Sequence, residues 1–223
     1  MKDLFKINWR YTIGEIIIVI IGISIAFALN NWKEGIENEK TKIEYLQNLS
    51  TDITTEIKQL GELSNGITGK LTAINKIRPH LGTSIPGRDT MINKLFDIAQ
   101  TVRFTPENTT FKTLMNSGDL SLIDDFELRH EIQRHYNLHE KILINYERLE
   151  NINSKYLGDF FIYDMDFDAL RKGDFSILDN PLLKNIINSL QGAYYYILQA
   201  NKDCLASNER LHAQIKDHLE VEN

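Results

Sequence analysis

Glu131, His135 and His139 stand four residues apart, so a helix presents all three on one face. Imidazoles at i and i+4 can share a metal ion, and a carboxylate one turn away adds a third ligand. If the helix carrying them pairs antiparallel with the last long helix, Glu209 and His212 fall near the same level. Facing helices build metal sites from such carboxylates and imidazoles. The candidate metal ligands are therefore Glu131, His135, His139 and His212. The paired Glu-x-x-His motifs of di-iron bundles are not reproduced. Glu127-x-x-His130 and Glu209-x-x-His212 fit, but the former lies off this face. The plainer reading of the histidines is a hydrogen-bonded place in the core.

Other groups carry weaker chemistry. Cys204 is the single cysteine, which excludes an intramolecular disulfide, and Asp203 beside it disfavours a thiolate. Tyr194-Tyr195-Tyr196 reads as one ring in the core and two at its margin rather than a stacking patch. Asp164-Met-Asp-Phe-Asp168 alternates acids but lacks the central Gly and closing Glu of a calcium loop. No Ser-His-Asp arrangement can be inferred, and no Gly-rich phosphate loop occurs. No catalytic residue and no cofactor is expected, and the chain reads as a non-enzyme.

What must position these groups is an anchored helical chain. Ile16 to Leu29 is a nearly unbroken apolar run, and no charge lies between Glu15 and Lys33. A bilayer core takes about 20 such residues as a helix. Trp9 and Tyr11 on one side, and Asn31 and Trp32 on the other, fit the two interfaces, roughly 35 Å apart at 1.5 Å per residue. The alternatives are a buried soluble helix and a cleaved signal ending at Ala26-Phe-Ala28. The polar lead-in Tyr11, Thr12, Glu15 and the Asn-Asn-Trp that follows argue against cleavage. Gly14, Gly22 and Ala26 share one helix face, where small residues favour helix association in lipid. Glu15 lies about a turn inside the apolar boundary, where a carboxylate either snorkels or meets another membrane helix. Lys and Arg are tied across the span. The short basic tail with Lys2, Lys6 and Arg10 favours the N-terminus inside and the C-terminal region outside.

The 223-residue chain leaves enough length after the anchor for one domain with a core. Net charge is −6 with acids and bases interspersed, so nucleic acid is not an expected partner. Four prolines and abundant Leu, Ile, Lys and Glu point to helices. Ile43, Leu46, Ile53, Ile57, Leu60, Ile67, Leu71 and Ile74, with Ser50 and Ser64 in two slots, fall at three- and four-residue steps, which predicts one long helix leaving the bilayer and reaching Arg78-Pro79. Gly61, Gly66 and Gly69 predict a weak point in it. A short amphipathic helix is predicted over 88–102. A second is predicted to be capped by Thr105-Pro106 and to end at Asn116-Ser-Gly-Asp119. Asp124-Asp125 opens a long helix with a seam through Leu128, Ile132, His135, His139, Ile142, Tyr146, Leu149, Asn153, Tyr156 and Phe160. Asn180-Pro181 opens the last, whose seam runs from Leu183 to Leu219. No period-2 run occurs.

The expected fold is all-α. An N-terminal transmembrane helix continues into an antiparallel bundle of three long helices and a short helical pair. The division is a cytoplasmic tail over 1–11, the transmembrane helix over 12–32 and an extracytoplasmic, periplasmic domain over 33–223.

The block Trp9-Arg-Tyr-Thr-Ile-Gly-Glu-Ile through Leu29-Asn-Asn-Trp32, followed by a charged helix, resembles an uncharacterised single-pass membrane family of Bacteroidota. Phe111-Lys-Thr-Leu-Met-Asn-Ser-Gly-Asp-Leu-Ser-Leu-Ile123 is similar to that family's second recurring block. The resemblance runs nearly full length and marks Gly14, Glu15 and Asn30-Asn31-Trp32 as family features. It implies a Gram-negative inner-membrane protein with a periplasmic helical domain, and it implies no activity. The expected partners are the lipid bilayer and either a second copy of the chain or another envelope protein. The alternatives are a ligand-sensing bundle that signals through a partner and, most remotely, a metal-binding bundle enzyme.

Overall fold

The structure, a computed structural model, describes residues 9–221. The tail before Trp9, with Lys2 and Lys6, lies outside the described residues, as do the side chains of Arg10 and Tyr11. All regular structure among the described residues is helical.

Helix α1, Trp9–Ile77, is a single element of 69 residues that carries both the apolar run and the first wall of the bundle. Gly61, Gly66 and Gly69 do not interrupt it. Its N-terminal part is long and apolar enough to cross a membrane, and none of that apolar window is buried. Burial begins at Lys42 and Leu46. Ten residues past Trp32 amount to roughly 15 Å of exposed stalk.

A short pair follows, α2 (Arg88–Ala99) and α3 (Thr109–Ser117). Two boundaries differ from the sequence reading. Helix α2 stops at Ala99. Helix α3 begins at Thr109 behind Asn108, not behind Thr105, so Pro106 stands outside the helix. The chain between them is spent reaching across the bundle, where Phe104 is buried in the core. Gly118, at φ +83°, ends α3 in the left-handed conformation that glycine adopts without strain.

Helix α4 (Phe126–Asn151) starts where the acids predicted it, with Asp125 Oδ1 accepting from Leu128 N at 2.9 Å. It passes through a π-helical stretch, Ile152–Gly158, into α5 (Asp159–Tyr163). The wider turn shifts the seam by one residue. Leu157 is therefore buried, and Tyr156, expected inside, is 51% exposed. After the short α6 (Phe167–Arg171), capped by Asp166, Asn180 opens α7 (Pro181–Val221) by accepting from Leu182 N.

Side-chain bonds fix the register of the three long helices. Thr54, Ser64 and Asn75 of α1 meet His212, Asn201 and Gln191 of α7, so these two run antiparallel. Asp125, the cap of α4, and His135 and Tyr146 within it meet His218, Ser207 and Asn201 of α7, so these are antiparallel as well. Helices α1 and α4 therefore run parallel, both packed on α7. The seam residues Leu60, Ile67, Ile74, Ile132, Leu149, Leu183, Leu190, Tyr194 and Ile197 are all fully buried. Each such side chain contributes about 1.5–3 kcal/mol relative to exposure. Lys70 reaches out of this seam to the C-terminal end of α2, donating to Asp97 O at 2.7 Å and Ile98 O at 3.4 Å. The free carbonyls and dipole of that helix end take the positive charge.

Candidate functional site

The three long helices converge on a polar centre in a largely apolar seam. Helix α1 supplies Glu56, α4 supplies His135 and His139 one turn apart, and α7 supplies Cys204, Ser207 and Asn208. All six are buried, with Glu56 and His135 at 1% exposure.

Glu56 Oε1 is the hub. His139 Nε2 donates to it at 2.9 Å, Asn208 Nδ2 at 3.1 Å and the Cys204 thiol at 3.4 Å. The Nε2 of His135 stands 3.8 Å from the same oxygen, too far for a hydrogen bond. The other ring nitrogen of His135 meets Ser207 Oγ at 3.1 Å. His135 Nε2 is left buried without a hydrogen-bond partner, as is His139 Nδ1. The two imidazoles lie edge to face, with centroids 5.0 Å apart, and Tyr136 and Phe104 wall the centre with their rings.

Burial sets the proton affinities here. It pushes His135 down to about 4, with His139 adding to the effect and Glu56 opposing it, so His135 is neutral near pH 7. Burial by itself raises the Glu56 carboxyl. The hydrogen bond and charge of His139, helped by Asn208 and His135, outweigh it and hold Glu56 below the ordinary carboxylate value. Burial and the adjacent Glu56 carboxylate push the Cys204 thiol well up, so it is a protonated donor, not a nucleophile.

The structure brings together only two of the four residues expected as metal ligands. His135 and His139 both face the centre. Glu131 turns to Arg134, 2.8 Å away, and His212 meets Thr54 at 3.3 Å. The third and fourth potential ligands are Cys204 and Glu56: one ligand atom each from His135, His139 and Cys204 lie within 4.8 Å of one another. Glu56 was missed although a signal existed. Leu46, Leu49, Ile53, Glu56, Leu60, Leu63, Ile67, Lys70, Ile74 and Ile77 form an unbroken series of three- and four-residue steps, with charges in two of its slots.

At the other end of α1, a Cβ on Gly14 or Gly22 would meet nothing within 4 Å among the described residues beyond the helix's own backbone. Glu15, Gly22, Ala26 and Asn31 are exposed, as are Trp9 at 71% and Trp32 at 68%. Tyr194 is fully buried while Tyr195 and Tyr196 point outward, as the triplet predicted.

A family model described as a family of unknown function (DUF6090) matches residues 15–165, and the chain belongs to that family. The match takes in the apolar run, Glu56, His135 and His139, and stops before α7 with Cys204, short of the nearly full-length coverage expected. No curated protein and no solved structure matches the chain.

Proposed function

For a member of a family without an assigned activity, we propose a membrane-anchored, non-catalytic helical interaction module. It is held in the inner membrane by the first part of α1, with the tail before Trp9 inside and the bundle in the periplasm. The observation that carries this reading is the continuity of α1: one helix bears an apolar stretch that none of the described residues covers and then forms the wall of the bundle. An apolar helix face with no partner in its own fold needs lipid or another protein to cover it. The small residues Gly14, Gly22 and Ala26 suit close approach of a second helix, which favours a homo-oligomer or an envelope partner. Lys2, Lys6 and Arg10 support the inward orientation.

A scaffold fits the bundle better than a ligand sensor does, because the seam between α1, α4 and α7 is filled by side chains with little or no exposure. The protonated Cys204 and the Glu56 hydrogen bonds describe a fastening point rather than a reaction centre. Purification of the full chain in mild detergent, followed by native mass spectrometry, tests the proposal. It predicts a defined oligomer or a co-purifying membrane protein. A lone monomer without protein partners contradicts it.

A further inference from the structure

We infer that Glu56, His135, His139 and Cys204 form a binding site for one divalent transition-metal ion of the zinc type, at the junction of α1, α4 and α7. The inference does not depend on the membrane reading. Three side chains whose ligating atoms lie within 4.8 Å of one another, His135, His139 and Cys204, surround the buried Glu56 carboxylate, and two of them are the i, i+4 histidines of α4. Around a tetrahedral ion, such N, O and S ligands lie about 3.3–3.8 Å apart. Measured from Glu56 Oε1, the other three stand at 2.9, 3.4 and 3.8 Å.

His135 provides the independent observation. Its Nδ1 is held by Ser207 Oγ at 3.1 Å, which places the proton on Nδ1 when the hydroxyl accepts it. In that tautomer Nε2 carries the lone pair, and this nitrogen is buried, without a hydrogen-bond partner and 3.8 Å from Glu56 Oε1. A buried imidazole nitrogen without a hydrogen-bond partner is unfavourable, and an ion bound to it would remove that cost. Metal-bound histidines characteristically carry such a bond on the second nitrogen. Ser207 provides it for His135, and Asn208 does the equivalent for Glu56.

Charge and ligand type narrow the ion. Glu56 as carboxylate and Cys204 as thiolate carry two negative charges, which a divalent cation offsets to leave a neutral buried centre. Binding releases the Cys204 thiol proton to solvent. One sulfur, two imidazole nitrogens and one carboxylate oxygen suit zinc or cobalt(II) and disfavour magnesium or calcium. Such an ion would tie all three long helices together.

The test is a titration of the full chain in detergent, stripped with chelator, with cobalt(II) and then zinc. The proposal predicts one equivalent of cobalt, the visible bands of a tetrahedral site and a thiolate charge-transfer band, all abolished by zinc. Cys204 is the single cysteine, so the charge-transfer band identifies it without a variant. Cys204→Ser should lose that band. Ser207→Ala should keep the stoichiometry but weaken binding by about 10–100-fold. Glu131→Gln and His212→Ala should titrate like the wild type. A helical wild-type chain that takes up no stoichiometric cobalt or zinc overturns the proposal. So does cobalt bound without a thiolate band, or binding that depends on His212 and Glu131.

Discussion

His139 Nε2 lies 2.9 Å from Glu56 Oε1, joining two parallel helices across 83 residues of sequence. No direct turn connects α1 and α4. Their shared neighbour α7 sets their spacing, and this bond locks their register from the inside. Asn208 and Cys204 of α7 donate to the same oxygen, so one carboxylate atom fastens three helices.

Removing that carboxylate leaves three buried donors without an acceptor. Each such loss costs about 1–3 kcal/mol, partly offset by relaxation, so Glu56→Ala should destabilise the metal-free bundle by about 3 kcal/mol. Glu56→Gln keeps an acceptor oxygen and should cost less. Urea unfolding followed by circular dichroism checks both, and an unchanged midpoint for Glu56→Ala contradicts the arrangement.

The same centre predicts an acid dependence. Folded His135 titrates at about 4, against an ordinary value of 6.5. Below pH 6.5 the unfolded chain binds the proton and the folded chain does not, so stability present above 6.5 is lost as pH falls toward 4. Glu56, held below its usual value, acts in the same direction as pH falls through the carboxylate range. From the His135 shift alone, chelator-treated protein should lose about 2 kcal/mol between pH 7.5 and pH 5. A His135→Gln variant should show a flatter slope. Equal stability of the wild type at the two pH values would refute a neutral, buried His135.

Much of this fold was legible in the chain. Asn180-Pro181 and Asp125 are true helix starts because their side-chain oxygens accept backbone N–H groups that the first turn leaves unpaired. The seams of α4 and α7 follow from apolar spacing, since only the buried face is constrained to be apolar. Glu56 stands in a slot of the three- and four-residue series of α1, but a carboxylate on an amphipathic helix normally faces water, so the slot by itself does not mark a core residue. Its burial is explained by partners 83 and 152 residues away, which no local pattern records. The π-helical stretch was hidden for a related reason: Asn153, Ser154 and Gly158 are weak helix formers but do not by themselves call for a wider turn, and the shift shows in the exchange of Tyr156 for Leu157.

The Asp125 cap can be tested by substitution. Asp125 Oδ1 accepts from Leu128 N, while Oδ2 meets His218 Nε2 at 3.1 Å on the exposed end of α7. Asp125→Ala should cost about 1 kcal/mol, most of it from the cap. His218→Ala should cost less, since an exposed pair contributes little. Thermal unfolding of the two variants distinguishes these contributions, and the reverse order would contradict the assignment.

Small residues on α1 should govern association of the anchor. Gly22→Leu places a bulky side chain on the face with Gly14 and Ala26, and none of the described residues opposes it. Fold and stability should be unchanged, while cross-linking of the full chain in detergent should fall. Undiminished cross-linking would move the association to the bundle.

The most direct measurement is alkaline extraction of membranes from cells producing either the full chain or a chain that begins at Lys33. If the first part of α1 is a lasting membrane anchor, the full chain stays with the membranes and the shortened one is released as a helical protein. Release of the full chain, or a mature protein whose first residue lies beyond Ala28, would contradict that account.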